Sequence, residues 1–131
     1  MAEIKRRFGV DVAAVDGSTP ELKASILRST EVTLCAGRAG VRVLDANQID
    51  RAEGLLVAAD VNAVPPAGIE GLDAQANAAP LGGHGALGVG PFAIGNVKYR
   101  TESGLFRQMA ESKTPLRLDF RQAFQLARTL A

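Results

Sequence analysis

From Leu55 the chain runs LLVAAD, an apolar stretch that closes on Asp60 and Asn62 and then meets Pro65 and Pro66. A continuous apolar run of this length predicts a strand buried on both faces of a parallel sheet. Neither proline has an N–H to donate, so the strand ends before them. Asp60 and Asn62 fall at its carboxyl end, where open α/β sheets hold their ligands. Upstream, Val10–Val15 (VDVAAV) reads as a short strand and Asp16-Gly17-Ser18 as a turn. A helix follows: Thr19 can cap it, Pro20 suits its first position, and Glu21 suits its positive end. Leu22, Ile26 and Leu27 share one face of that helix. Glu31–Ala36 is the next strand and Gly37–Gly40 the loop after it. Val41–Arg51 reads as a second helix or an irregular crossover, with Val43, Leu44 and Ile49 turned inward. The order strand, helix, strand, helix, strand, with connections that suit parallel crossovers, predicts part of a doubly wound, mostly parallel α/β sheet with flanking helices.

Beyond Pro66 the texture changes. Ala67–Leu81 is rich in Ala, Gly and Pro and reads as a loop excursion, and Gly82–Gly95 holds six glycines in fourteen residues. Thr101–Glu111 opens like a capping box and sets Leu105, Phe106 and Met109 on one face. In Asp119–Leu130, Asp119 caps a helix whose stripe is Phe120, Ala123, Phe124, Ala127 and Leu130. The basic stretch Met1–Phe8 can be the tail of a helix. There is no internal repeat. At 131 residues the chain is expected to be one domain, with 101–131 as its carboxyl-terminal helices.

Composition narrows the possible partners. Hydrophobic residues at 47% and charged residues at 22% describe a globular chain. A net charge of +1 and the absence of Trp give no footprint for nucleic acid or an anionic membrane. One cysteine, Cys35, and one histidine, His84, make an intrachain disulfide or a clustered metal site unexpected. With no long apolar run and no leader pattern, a soluble, cytoplasmic chain is expected.

The candidate chemistry has plain alternatives. Gly88-Val89-Gly90-Pro91-Phe92-Ala93 fits G-x-G-x-x-G/A formally, but it lies late, with no βαβ unit after it. It reads as a glycine turn with close backbone packing. His84 in its glycine loop reads as solvent-facing or as a simple hydrogen bonder. Cys35, inside an apolar strand, reads as a small buried hydrophobe. Arg38 can reach an anionic ligand or stand exposed. Lys98, between the glycine region and the predicted helix, reads as solvated. Asp60 and Asn62 carry the stronger positional argument, although a strand-end Asp often only caps the next turn.

Together these segments resemble the carboxyl-terminal half of the NAD(P)-dependent methylene-tetrahydromethanopterin dehydrogenases. The residues that carry the resemblance are Ala36-Gly37-Arg38-Ala39-Gly40, the run from Ala58 through Asp60, Asn62, Pro65 and Pro66, and Gly68-Ile69-Glu70-Gly71-Leu72-Asp73. Gly85–Gly90, Ile94–Tyr99 and Leu118–Ala127 continue it. The resemblance implies the nucleotide-binding, Rossmann-like part of a two-domain enzyme. Such an enzyme moves hydride from methylene-tetrahydromethanopterin to NADP or NAD, with the product cation delocalised over the flanking nitrogens. That chemistry needs orientation of two bound partners more than it needs an acid or base. By position it implies Ala36, Gly37 and Ala39 along the nucleotide, Asp60, Asn62 and Ala63 at the nicotinamide end, and Lys98 as a residue touching pterin or nicotinamide. No metal is implied.

Set against that family, the glycine fingerprint, the first two strands and the amino-terminal domain would precede Met1. The expectation is that Val10–Val15 and Val32–Cys35 lose shared neighbours. They would then pair anew, associate with another copy through an exposed edge, or take a separate amino-terminal polypeptide. Two other functions stay open: a non-catalytic nucleotide-binding or oligomerisation module, and an unrelated α/β enzyme using Asp60 or His84.

Overall fold

The computed structural model describes residues 2–130. Its centre is a four-stranded sheet in the order β1-β2-β4-β3, where β1 is Val32–Cys35, β2 Val57–Asp60, β3 Asn77–Leu81 and β4 Ala86–Val89. β1, β2 and β4 run parallel, and β3 lies antiparallel on β4. Around the sheet are α1 (Ala2–Phe8), α2 (Pro20–Leu27), α3 (Ala46–Asp50), α4 (Pro91–Glu111) and α5 (Phe120–Ala127). The expected open, mostly parallel α/β sheet with flanking helices is therefore present.

Local chemistry explains where the helices start. Thr19 Oγ1 accepts the Leu22 N–H at 3.3 Å, and Pro20 sits in the first turn of α2. Asp45 and Gln48 form a reciprocal capping box on α3, and Asp119 and Gln122 do the same on α5.

The strand register gives the sheet two unlike faces. Cys35, Ala58, Asp60 and Ala86 point to the covered face and are each 5% exposed or less. Leu27 of α2, Ile49 of α3 and the loop residues Leu44, Leu55, Ile69 and Leu72 complete that core. Leu55 and Ile69, at 2% and 0% exposure, each contribute about 1.5–3 kcal/mol by burial. The opposite face carries Val32, Leu34, Val57, Ala59, Leu87 and Val89, paired across the strands. Val32 and Leu34 remain 64% and 62% exposed there.

Several sequence expectations change. Val10–Val15 forms no strand; it lies outside the sheet, and Val10, Val12 and Val15 are exposed. A short strand needs a neighbour to take its backbone groups, and none lies beside this segment. The same want of a neighbour leaves the outer edge of β1 unpaired, because β1 bonds only to β2. The crossover at Val41–Arg51 is mostly irregular, with helix only over α3.

Ala67–Leu81 is not all loop, since its end forms β3. That strand has a register irregularity between Asn77 and Ala79, with Ala78 at φ 57° and Pro80 two residues on. The helix expected from Thr101 begins ten residues earlier, at Pro91. Thr101 lies inside it and donates its Oγ1–H to Val97 O at 2.8 Å. Lys98 and Tyr99 are thus helical and do not precede a helix. On α5, Ala123 and Ala127 are half-buried with Leu126, whereas Phe120 and Phe124 are 58% and 64% exposed. Phe120 instead meets Phe8 of α1 edge-on, ring centres 5.9 Å apart.

Candidate functional site

β2 ends on Asp60, and the chain leaves the sheet through a loop that Asp60 itself ties down. The side chain is 1% exposed. One carboxylate oxygen accepts the Asn62 N–H at 2.9 Å and the other the Gly68 N–H at 2.7 Å. A Cβ on Gly68 would lie 2.9 Å from the nearer oxygen, so only glycine lets the returning backbone come this close. Past Gly68 the chain lies beside the 43–44 segment. Gly68 O accepts the N–H groups of Val43 and Leu44, and Glu70 accepts from Arg42 at 2.6 Å and from the Ala46 N–H. The Pro65–Pro66 bond within the loop is cis.

Asn62 continues the turn. Its Oδ1 accepts the Val64 N–H at 3.0 Å. This fixes the orientation of the amide, because a flipped side chain would set a donor against the Val64 donor. Asn62 is 8% exposed, and its Nδ2 is buried with no hydrogen-bond partner. Asp60 and Asn62 line a cavity of about 90 Å³ with Ala63, Val64, Pro65, Ala67, Leu72, Ala74 and Pro91.

The loop after β1 stands next to this one. A Cβ on Gly40 would sit 3.5 Å from Pro65 O and 3.8 Å from Val64 Cγ1. The structure therefore brings the Ala36–Gly40 loop and the Asp60–Pro65 loop together at the carboxyl ends of adjacent parallel strands. Ala36, Gly37, Arg38, Ala39 and Ala63 are exposed there.

The third strand end is closed. Phe92 N–H donates to Ala74 O at 3.0 Å and Gly90 N–H to Ala76 O at 2.8 Å. A Cβ on Gly90 would overlap Asp73 O and Ala74 O. The G-x-G-x-x-A stretch is thus the turn with close backbone packing that its position implied, and its helix end faces protein.

The remaining candidates lie elsewhere. Lys98 is exposed on α4, 3.8 Å from Glu102, beside a groove of about 560 Å³ between α4 and α5 that shares no residue with the Asn62 cavity. His84 is exposed at the β3–β4 turn. Cys35 is buried, and its thiol is pushed up to about 11 by burial and by the Asp60 carboxylate, with Lys23 opposing. It is a poor nucleophile in this state. Among the described residues, no group of three metal-ligating side chains lies together and no helix is long and apolar enough to cross a membrane.

Gly68, Leu72 and Pro91 were not foreseen as parts of the site. The D-x-N run followed by glycine held the signal for Gly68, since short polar residues after a strand look for backbone N–H groups. Nothing local marked Pro91, which arrives from thirty-one residues beyond Asp60.

Fold and site together define an α/β protein with two neighbouring loops at the carboxyl rim of a parallel sheet, the rim at which open α/β sheets hold ligands. Comparison with known proteins is more particular. The chain is 50% identical over 128 residues to the NAD(P)-dependent methylenetetrahydromethanopterin dehydrogenase of Methylorubrum extorquens. It is 27% identical over 128 residues to the bifunctional protein MdtA of the same organism. Each match takes in 98% of this chain and 43% of the relative, so the chain spans less than half the length of either. No protein-family model matches it.

Proposed function

We propose that this chain forms the nicotinamide-facing part of a methylene-tetrahydromethanopterin dehydrogenase that uses NADP or NAD. The observation that carries this is the 50% identity, which runs through 98% of the chain and so through both strand-end loops. The residues also suit the cofactor. Asn62 Nδ2 is a buried donor with no partner, and the small residues Ala36, Gly37 and Ala39 leave backbone accessible where a nucleotide would pass. When bound, the cofactor supplies the hydride acceptor.

The chain's own residues then have separate tasks. Asp60 accepts one backbone N–H on each oxygen, so its task is to hold the loop. Asn62 and Ala63 would face the nicotinamide ring of a bound cofactor. Val64, Pro65 and Leu72 wall the cavity with apolar groups and limit water at that end. No acid–base pair is needed, because the task is to hold two bound partners in a reacting orientation. Lys98 has no part in this proposal.

The test is formation of NADPH or NADH from methylene-tetrahydromethanopterin, followed by absorbance. It is run with this chain alone and with a polypeptide matching the rest of the relative. Turnover in the combination is expected. Its absence in both arms would sink the proposal.

The sheet face left open at Val32 and Leu34 favours a second function, a non-catalytic nucleotide-binding or oligomerisation module. Parallel sheets are ordinarily covered on both faces, and here Val32 and Leu34 are more than half exposed. Sedimentation that shows a stable homo-oligomer, together with no turnover in the combination, would select it.

A further inference from the structure

α4 carries apolar residues on two opposite sides, and the chain's own packing uses one of them. Thr101 is buried, and Ile94, Val97 and Leu105 line the groove toward α5. Gly104 lies so close to α5 that a Cβ there would come 2.7 Å from Leu126 Cδ2. Tyr99 stands about 200° around the helix from Thr101, on the outer side. Phe92 and Phe106 lie two turns before and two turns after it, at heptad spacing on the same side. The three rings are 55%, 71% and 70% exposed in chain order, and Met109 beside the last of them is 47% exposed. A Cβ on Gly95, between the first two rings, would meet nothing within 4 Å. Single exposed apolar side chains are ordinary, whereas a contiguous row of rings marks an interaction surface.

The row is its own complement. Tyr99 is the centre, with a phenylalanine two turns to either side, so it reads the same in both directions. Lys98 and Glu102 lie on one flank, both exposed and 3.8 Å apart. A second copy can be laid antiparallel on α4 about a twofold axis level with Tyr99 and Arg100. Tyr99 then meets its counterpart, and Phe92 meets Phe106 of the second copy. Lys98 meets Glu102 of the second copy, and the axis repeats each contact. A parallel arrangement puts those charges on opposite flanks. Arg100, on the other flank, donates to Leu130 O at 2.9 Å and so leans toward the end of α5, off the row.

We infer that α4 is a self-association surface, and that its partner is the α4 of a second copy of this chain in an antiparallel twofold pair. The pairing stands apart from the nucleotide assignment and from the open edge of β1. Six such rings bring on the order of 700 Å² into the contact, short of the about 1,200 Å² at which stable interfaces begin, so the dimer forms at micromolar concentrations.

Sedimentation equilibrium of the full chain over a concentration series should show a monomer–dimer equilibrium. Tyr99→Glu sets a carboxylate against its own copy at the axis and should weaken the dimer roughly a hundredfold. Its circular dichroism should match the wild type, because the ring it replaces is exposed. K98E and E102K should each weaken the dimer roughly tenfold. An equimolar mixture of those two variants should form a mixed dimer, since each then carries the charges that complement the other. A merely structural role for either side chain would not be restored by mixing, and failure of the mixture to associate would count against the pairing. A chain that stays monomeric throughout overturns the inference. So does a dimer indifferent to Tyr99→Glu, which would place the contact on β1 or the open sheet face. A monomer that binds the polypeptide matching the rest of the relative, and loses that binding in Y99E, would give the row to that partner and overturn the second copy.

Discussion

The two faces of one sheet differ more than any two elements of the chain. On one side Cys35, Ala58, Asp60 and Ala86 are sealed beneath α2, α3 and the 67–76 segment. On the other, Val32, Leu34 and Leu87 stand against solvent, although they are as apolar as the residues inside. Hydrophobicity along a strand therefore tells that a face wants cover, and only the rest of the fold decides whether it receives it.

Substitutions can break that contrast. Leu55→Ala or Ile69→Ala should lower stability by about 2–5 kcal/mol, seen as a shift of the urea midpoint. Leu34→Ala on the bare face should change it by less than about 0.5 kcal/mol in the isolated chain. Equal losses would mean that the second face is covered in solution. Next in size, Asp60→Ala strands two backbone N–H groups and should cost about 2–3 kcal/mol, with faster hydrogen exchange at Asn62 and Gly68.

Cys35 sharpens the picture of the sealed side. Its thiol rises from 9.0 to about 11 on folding. Between those values the unfolded chain has lost the proton and the folded chain keeps it, so stability present below pH 9 should decline as pH climbs toward 11. A urea midpoint that stays flat over that window would count against it. The smallest effect belongs to His84→Ala at the exposed β3–β4 turn, within about 0.5 kcal/mol by the same measurement.

Much of this was legible from residues alone. Thr19-Pro20-Glu21 and Asp119 announced their helices because capping is a local transaction between a side chain and the next turn. The LLVAAD run announced β2 and placed Asp60 and Asn62 at its end. Val10–Val15 misled because an alternating run states only a capacity to pair, and pairing depends on a neighbour far away in sequence. Leu-free Asn77–Pro80 was unreadable as a strand for the opposite reason: β4 holds it in place, and its own residues do little. Thr101 reads as a helix start because a capping residue looks the same mid-helix, where its hydroxyl turns back to Val97 O. Within the site, the two strand-end loops were visible as motifs. Their meeting at Gly40 and Pro65, and the closure of the third strand end by Ala74 and Ala76, belong to tertiary structure alone.

The two margins of the sheet give it a growing end and a finished end. Leu87 N–H turns to Leu56 O at 2.8 Å, toward β2, so Pro80, its partner on β3, turns its backbone outward. There the proline ring offers no hydrogen, and the irregularity at Ala78 bends the rest of the margin. β1 has neither device. A newcomer can lengthen this sheet from β1 and not from β3. If it enters parallel, its own final loop comes to rest beside Gly37–Gly40, on the rim where Asn62 holds its unshared hydrogen.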